Sequence, residues 1–344
     1  MSSTSPRVEL QPTRRSLRDT VVIGTSSGGL AALGSLLNRL SETFQGSIFI
    51  VQHQSRNSPG LLGAVLQFAT PLPIRTVRDR MPIRPGEIYL APPDQHLVIF
   101  DNSVLATGGA RENRSRPSIN PLFRTAAAAR GSRTIGVLLT GQLDDGVAGL
   151  ATIKRCGGIT IVQDPADAEF PELPARAIEA VAIDHVVPVA QIGALLEKLS
   201  RQEAADVEIP REAIIEAEFS GPAGSTAAAV DSIGQRTTTS CPDCGGPLWR
   251  VGEGEAAIYR CSIGHALSEP TLLESQGEAI EHALWVAVRT LGERASVLNS
   301  LASHAEHRGR RAEREREAAA EANEQGAILR KFLIGLRERK PERL

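Results

Sequence analysis

From Thr20 to about Leu199, short unbroken apolar runs alternate with stretches whose apolar residues recur at helical spacing. The run "TVVIG" leads into a helix over Leu30 to Leu40, and "SIFIVQH" leads into one near Leu61 to Phe68. The runs "EIYLAP" and "HLVIF" flank a Pro-Pro-Asp turn, which suits a hairpin. "INPLFRTAAAAR" reads as a helix. "TIGVLLTG" reads as a strand with a helix after it, near Val147 to Cys156. The strand "GITIVQD", the helix "PARAIEAV", the strand "HVVPV" and the helix "QIGALLEKL" complete the series. Repeated βα units with continuously apolar strands imply an α/β fold with a doubly wound, mostly parallel sheet, covered by helices on both faces. Ligands and chemistry in such sheets gather at the carboxyl ends of the strands.

Beyond Leu199 the pattern changes. Residues 200–240 are acidic, then small and polar, and read as a linker with room for a short helix in "EAIIEAE". Residues 241–269 concentrate cysteines and a histidine, and from Pro270 the chain is helical almost to Leu344. There Leu284, Val288, Leu291, Ala295, Leu298 and Ala302 are spaced alternately four and three apart, a heptad seam. A helical hairpin follows, packed on itself, on the Cys/His module or on another copy, the last giving a homodimer through the helix. The expected division is a disordered lead-in over 1–19, an α/β domain over 20–199, a linker over 200–240, a small module over 241–269 and a helical tail over 270–344.

Charge and composition remove several classes of function. The 38 basic and 40 acidic side chains leave a net charge of -2, so the chain offers no basic field for nucleic acid. Aromatic residues, at 3%, are too few for a base-stacking surface. No apolar run approaches the roughly 20 residues that span a bilayer, and the polar N-terminus lacks the apolar stretch of a signal peptide. A cytoplasmic location without membrane insertion is expected. The four cysteines then point to metal or to free thiols rather than to disulfides.

Three strand ends carry the candidate chemistry. The first strand runs into "GTSSGG", which contains G-x-S-x-G around Ser26. That pattern is found at the nucleophile elbow of α/β-hydrolases, but the elbow follows a later strand and its partners come in the order acid, then His. Here the second strand ends at His53 and "TIGVLLTGQLDDG" ends at Asp144 and Asp145. Taken singly, Ser26 suits a helix cap, His53 a strand end and Asp145 a turn before Gly146. A phosphate-binding turn fits poorly, since G-x-G-x-x-G is absent and the second strand ends in Gln-His. Together the three residues make a Ser-His-Asp set in which imidazole takes the serine proton and a carboxylate holds the imidazole. Gly28 and the helix start after it present amides that suit a developing oxyanion.

The motifs "GTSSGG", "VQH" and "LLTGQLDDG", joined by "IYLAPPDQHLVI" and "RPSINPLFRTAA", resemble the catalytic domain of chemotaxis protein-glutamate methylesterases over Val21 to Leu199. The resemblance implies Ser26 as nucleophile, His53 as base and Asp145 as acid, with Asp144 at the family's variable position. It implies hydrolysis of glutamate γ-methyl esters on chemoreceptors or related signalling proteins, with release of methanol, and deamidation of glutamines in many members. It implies no cofactor for catalysis. Thr25, Ser27, Gly28 and Gln142 are further candidates for the oxyanion or substrate. The family usually has Met-Gly where this chain has Gln142-Leu143, in a segment associated with the oxyanion hole. The usual phospho-receiver domain has no room in the roughly 20 residues before the first strand. Those two departures favour the rival function of a signalling adaptor that binds receptors or sensor kinases, which the intact Ser, His and Asp oppose. His96 reads as structural and Arg116 as a solvated surface charge.

Cys241, Cys244, Cys261 and His265 form C-x2-C and C-x3-H halves. Four protein ligands close the coordination sphere, the arrangement of a structural zinc ion in a zinc-ribbon-like module. "PLWRV" and "AAIYRC" are expected to pair as a hairpin around "GEGE". Cys156 stands apart and reads as a buried small apolar residue.

Overall fold

The computed structural model describes residues 16–221 and 224–338. The strands, in chain order, are β1 (Thr20–Thr25), β2 (Ser47–Gln52), β3 (Ile74–Thr76), β4 (Met81–Pro82), β5 (Ile88–Leu90), β6 (His96–Phe100) and β7 (Ser103–Thr107). They continue as β8 (Thr134–Leu138), β9 (Ile159–Gln163), β10 (His185–Val187), β11 (Gly234–Ser240), β12 (Pro247–Val251), β13 (Ile258–Cys261) and β14 (Ala266–Ser268). The helices are α1 (Gly29–Leu37), α2 (Leu62–Leu66), α3 (Ile119–Arg130), α4 (Val147–Arg155) and α5 (Glu172–Ala180). After them come α6 (Val189–Leu199), α7 (Arg211–Glu218), α8 (Ala227–Asp231), α9 (Glu269–His307) and α10 (Glu313–Glu338).

Seven strands form one parallel sheet in the order β10-β9-β8-β1-β2-β5-β3. Alternation along β1 assigns its side chains to two cores. Val21 and Ile23 pack with Leu33 and Leu36 of α1 and with Ile192 and Leu196 of α6. Val22, pointing the other way, packs with Phe123 of α3, Leu150 of α4 and Leu173 of α5. Both faces are therefore covered, and the strands have no polar face to show. Each fully buried Leu or Ile contributes about 1.5–3 kcal/mol. The chain winds outward from β1 through β2, then crosses to β8 on the other side. The carboxyl ends of β1, β2 and β8 thus meet where the winding reverses, the place such sheets keep for chemistry.

The structure departs from the sequence reading in several places. The runs around the Pro-Pro-Asp turn do not pair with each other. β5 joins the parallel sheet between β2 and β3, while β6 pairs antiparallel with β7 in a three-stranded sheet with β4. Residues 1–15 of the expected lead-in lie outside the described residues, but 16–19 are tied down. Arg18 N donates to Gln202 O at 3.1 Å, and Asp19 pairs with Arg133. Residues 200–240, read as a linker, carry α7, α8 and β11. Ala213 of α7 joins the main core, and Phe219 and Val230 pack with Trp249 and Ile258.

In the four-stranded antiparallel sheet β11-β12-β13-β14, β12 and β13 form the hairpin expected of "PLWRV" and "AAIYRC". The chain divides into two compact units after Thr271. In the second unit, Ala295 packs with Ala319 and Ala322, with Leu291 and Leu298 against them, so α9 and α10 close on each other as a hairpin. Gly309, with φ of 66°, lies in the turn between them, and Arg316 pairs with Glu306 at 2.8 Å.

Candidate active site and Cys/His cluster

Ser26 directly follows β1, and its N–H donates to Thr140 O at 3.1 Å. Gly28, with φ of 75°, turns the chain into α1. This conformation favours glycine. A Cβ at Gly29 would lie 2.0 Å from Gln52 Oε1, so the entry of α1 seats directly on the end of β2. His53 follows β2 and stays in register, its N–H donating to Thr25 O at 3.1 Å. Asp145 comes from the loop after β8 and is buried.

The three side chains meet. His53 Nδ1 lies 3.0 Å from Ser26 Oγ, and His53 Nε2 lies 2.7 Å from Asp145 Oδ2. An ionised carboxylate only accepts, so Nε2 carries the proton and Nδ1 is left to accept from the serine hydroxyl. Asp145 takes three further donors: Ile119 N at 2.7 Å on Oδ2, and Ser118 Oγ at 2.7 Å and Asn113 Nδ2 at 3.4 Å on Oδ1. Ile119 opens α3, whose N-terminus favours the negative charge. Asp144 is not brought to His53. Its Oδ1 accepts from Ser268 Oγ at 2.8 Å, and burial pushes its carboxyl up while that bond draws it down.

The remaining candidates separate. Gly28 and Ser27 line an open cleft of about 770 Å³ with Ser26, Gln52, His53 and Glu169. Ser27 Oγ donates to Gln142 Oε1 at 3.4 Å, which places Gln142 at the cleft edge. Leu143 beside it has φ of 62° and is exposed. Thr25 faces inward instead: it is fully buried and its hydroxyl donates to Thr140 O at 2.8 Å. It shapes the turn beneath Ser26.

His96 is buried, with Nε2 donating to Ala110 O at 2.9 Å and Nδ1 accepting from Ser118 N at 3.2 Å. Burial holds its imidazole below the ordinary range, which fits the neutral form those bonds require. Arg116, read as a solvated charge, is held. It donates to Asp94 Oδ1 at 3.0 Å and to Gly109 O at 2.9 Å. Asp94 also pairs with Arg56 at 3.1 Å and Arg111 at 3.3 Å. Burial pushes the Cys156 thiol up to about 11.

Sequence reasoning overlooked Ser118, Asn113, Ser268 and Gln52 as parts of the site. Gln52 Nε2 donates to Ser26 O at 2.7 Å and fixes the turn at Ser26. The only signals were the strand-end pair Gln-His and the segment "RPSIN".

The ligand atoms of Cys241, Cys244, Cys261 and His265 lie within 4.8 Å of one another. Cys244 Sγ is 3.7 Å from Cys261 Sγ, and Cys261 Sγ is 3.6 Å from His265 Nδ1. A tetrahedral ion with metal–sulfur bonds of about 2.3 Å separates its sulfurs by roughly 3.8 Å, so this donor set fits such an ion.

The model of the family described as CheB methylesterase matches residues 21–196. The chain belongs to the CheB methylesterase family. A Leptospira interrogans protein named "Putative protein-glutamate methylesterase/protein-glutamine glutaminase" is 38% identical over 184 residues, which cover 53% of this chain and 95% of that protein. "Protein-glutamate methylesterase/protein-glutamine glutaminase 2" of Anaeromyxobacter dehalogenans is 36% identical over 195 residues, 57% of each chain. This chain thus spans little more than half of that second relative. The crystal structure of the Thermotoga maritima CheB methylesterase catalytic domain superposes with a TM-score of 0.51 at 30% identity, covering 53% of this chain and 98% of that one. The CheB-like part therefore holds Ser26, His53 and Asp145, while the Cys/His cluster lies outside the 21–196 match. Among the described residues, no helix is long and apolar enough to cross a membrane.

Proposed function

We propose that this protein is a cytoplasmic serine hydrolase that cleaves glutamate γ-methyl esters on a methylated chemoreceptor or a related signalling protein. The observation that carries this reading is the continuous hydrogen-bonded row from Ser26 through His53 to Asp145. Ser26 Oγ attacks the ester carbonyl while His53 Nδ1 takes its proton. Asp145 holds the Nε2–H and steadies the imidazolium. The start of α1 faces the developing oxyanion with amides and the positive end of its dipole. His53 then protonates the departing methoxide, methanol leaves, and Ser26 is left as a glutamyl ester. Water, its proton taken by His53, attacks that ester; the bond to Ser26 breaks, His53 returns the proton to Ser26 Oγ, and the glutamate is freed. A glutamine substrate follows the same path with ammonia as the leaving group. The names of the relatives support both substrates.

The Cys3His set would hold one zinc ion with a structural role: its four ligands leave no open position, and nothing in the reaction above passes through it.

The test is methanol release from methylated receptor by the full chain. Ser26→Ala abolishes it while the unfolding transition stays within about 1 kcal/mol of wild type, because Ser26 is a surface-accessible hydroxyl. A variant that keeps its activity refutes the mechanism. A wild-type chain that binds receptor but whose Ser26 resists a fluorophosphonate is an adaptor instead.

A further inference from the structure

β14, the outer strand of the Cys/His sheet, does not end in solvent. Residues 111–113, in the loop before α3, run beside it. Asn113 N donates to Ala266 O at 2.8 Å, and Ala266 N donates to Arg111 O at 3.4 Å. Ser268 N donates to Asn113 Oδ1 at 2.8 Å. That last bond decides which way the Asn113 amide faces. With its oxygen committed to an N–H of β14, its NH2 must point away, and there it meets Asp145 Oδ1 at 3.4 Å. Asn113 sits at φ of 46°, a left-handed conformation that asparagine tolerates well.

A second connection lies below the first. Glu112 is buried and pairs with Arg124 of α3 at 2.6 Å and with Arg260 of β13 at 3.1 Å. Arg260 is wholly buried and also donates to Gly264 O at 3.2 Å, in the turn between Cys261 and His265. The turn that carries two of the four ligands is therefore joined, through Arg260 and Glu112, to the residue next to Asn113. Ser268 Oγ adds a third tie, to Asp144, the neighbour of Asp145.

We infer that the Cys/His sheet is a positioning element for the catalytic acid, and that Asn113 is the positioning residue through which it acts. This rests on the hydrolase reading above. Asp145 aligns His53 only while its own donors hold it. One of those donors, Asn113, is aimed by the sheet, and another, Ser118, ends the same loop. Loss of about an ångström of alignment at such a site can cost on the order of a hundredfold in rate.

Two variants of the full chain test this. Asn113→Asp keeps the shape, the left-handed backbone and the acceptor for Ser268 N–H, but replaces the amide donor by an acceptor. Arg260→Met breaks the deeper tie without touching Asp145. Both should lower kcat for methyl-ester hydrolysis, and the rate of Ser26 labelling by a fluorophosphonate, at least about tenfold with KM unchanged. Both should also broaden or shift the low-field proton resonance of His53 Nε2–H. Wild-type labelling rates and an unmoved resonance in Asn113→Asp overturn the inference, even if Arg260→Met fails to fold. The resonance still reads the alignment if the wild-type chain proves unreactive, a result that would count against the hydrolase reading alone.

Discussion

On the proposed reading Asp145 is the acid, held by Ile119 N, Ser118 and Asn113. Two adjacent aspartates leave β8, yet one meets His53 and the other meets Ser268. Asp145→Asn should therefore cut kcat by roughly 10³–10⁴, since an amide cannot hold the imidazole in the same tautomer. Asp144→Asn, which keeps a carbonyl to accept from Ser268, should cost less than about tenfold by the same assay. Two buried groups, His96 and Glu112, make stability fall in acid. Burial holds His96 below its ordinary value of 6.5, so the unfolded chain binds a proton that the folded chain refuses, and stability falls as pH drops below about 6.5. Burial also opposes the charge of Glu112, but Arg124 and Arg260 outweigh it and hold the carboxyl at about 2. Its contribution is complete above 4.5 and is lost as pH falls toward 2. Glu112→Gln should flatten that lower limb in denaturant midpoints measured from pH 7 to pH 3. At neutral pH it should cost about 3–5 kcal/mol, because two buried guanidiniums lose their counter-charge.

At the scale of the element, what could be read from the chain follows from burial. Strands covered on both faces must be continuously apolar, so β1, β2, β8 and β9 stand out as runs, and the strand-end rule then finds Ser26, His53 and Asp145. Pairing choice is a tertiary matter: nothing local in "EIYLAP" tells it to prefer β2 and β3 over β6. The polar stretch around α7 and α8 hides its structure because few residues there, Ala213, Phe219 and Val230 among them, do the burying. Asn113 and Ser268 were illegible for a related reason. They are 155 residues apart, and nothing in the local sequence of the loop that holds Asn113 or of the strand end at Ser268 marks them until the sheets bring them together. β1 also passes close to the residue whose N–H holds Asp145. A Cβ at Gly24 would lie 2.3 Å from Ile119 Cγ2, and Ile119 N–H bonds to Asp145. Gly24→Ala should thus cost about 1–3 kcal/mol in urea unfolding and should lower kcat as well.

Across the whole molecule, the sheets behave as one compact unit from β1 through β14, and the CheB-like match ends before the residues that complete it. A chain ended after Leu199 lacks Ala213, Arg260 and Ser268. It should unfold at lower denaturant than the full chain, and its Ser26 should label more slowly. Equal labelling by the two would show that Asp145 needs nothing from β14.

The cluster at Asp94 has a different kind of consequence. Arg56 belongs to the loop that follows His53, whereas Arg111 and Arg116 belong to the loop that carries Asn113 and Ser118. One carboxylate thus clasps the loop after His53 to the loop whose Asn113 and Ser118 hold Asp145, and it does so by gathering three like charges. Remove that charge and the two loops lose their shared partner, leaving three guanidiniums that no longer have a common counter-charge.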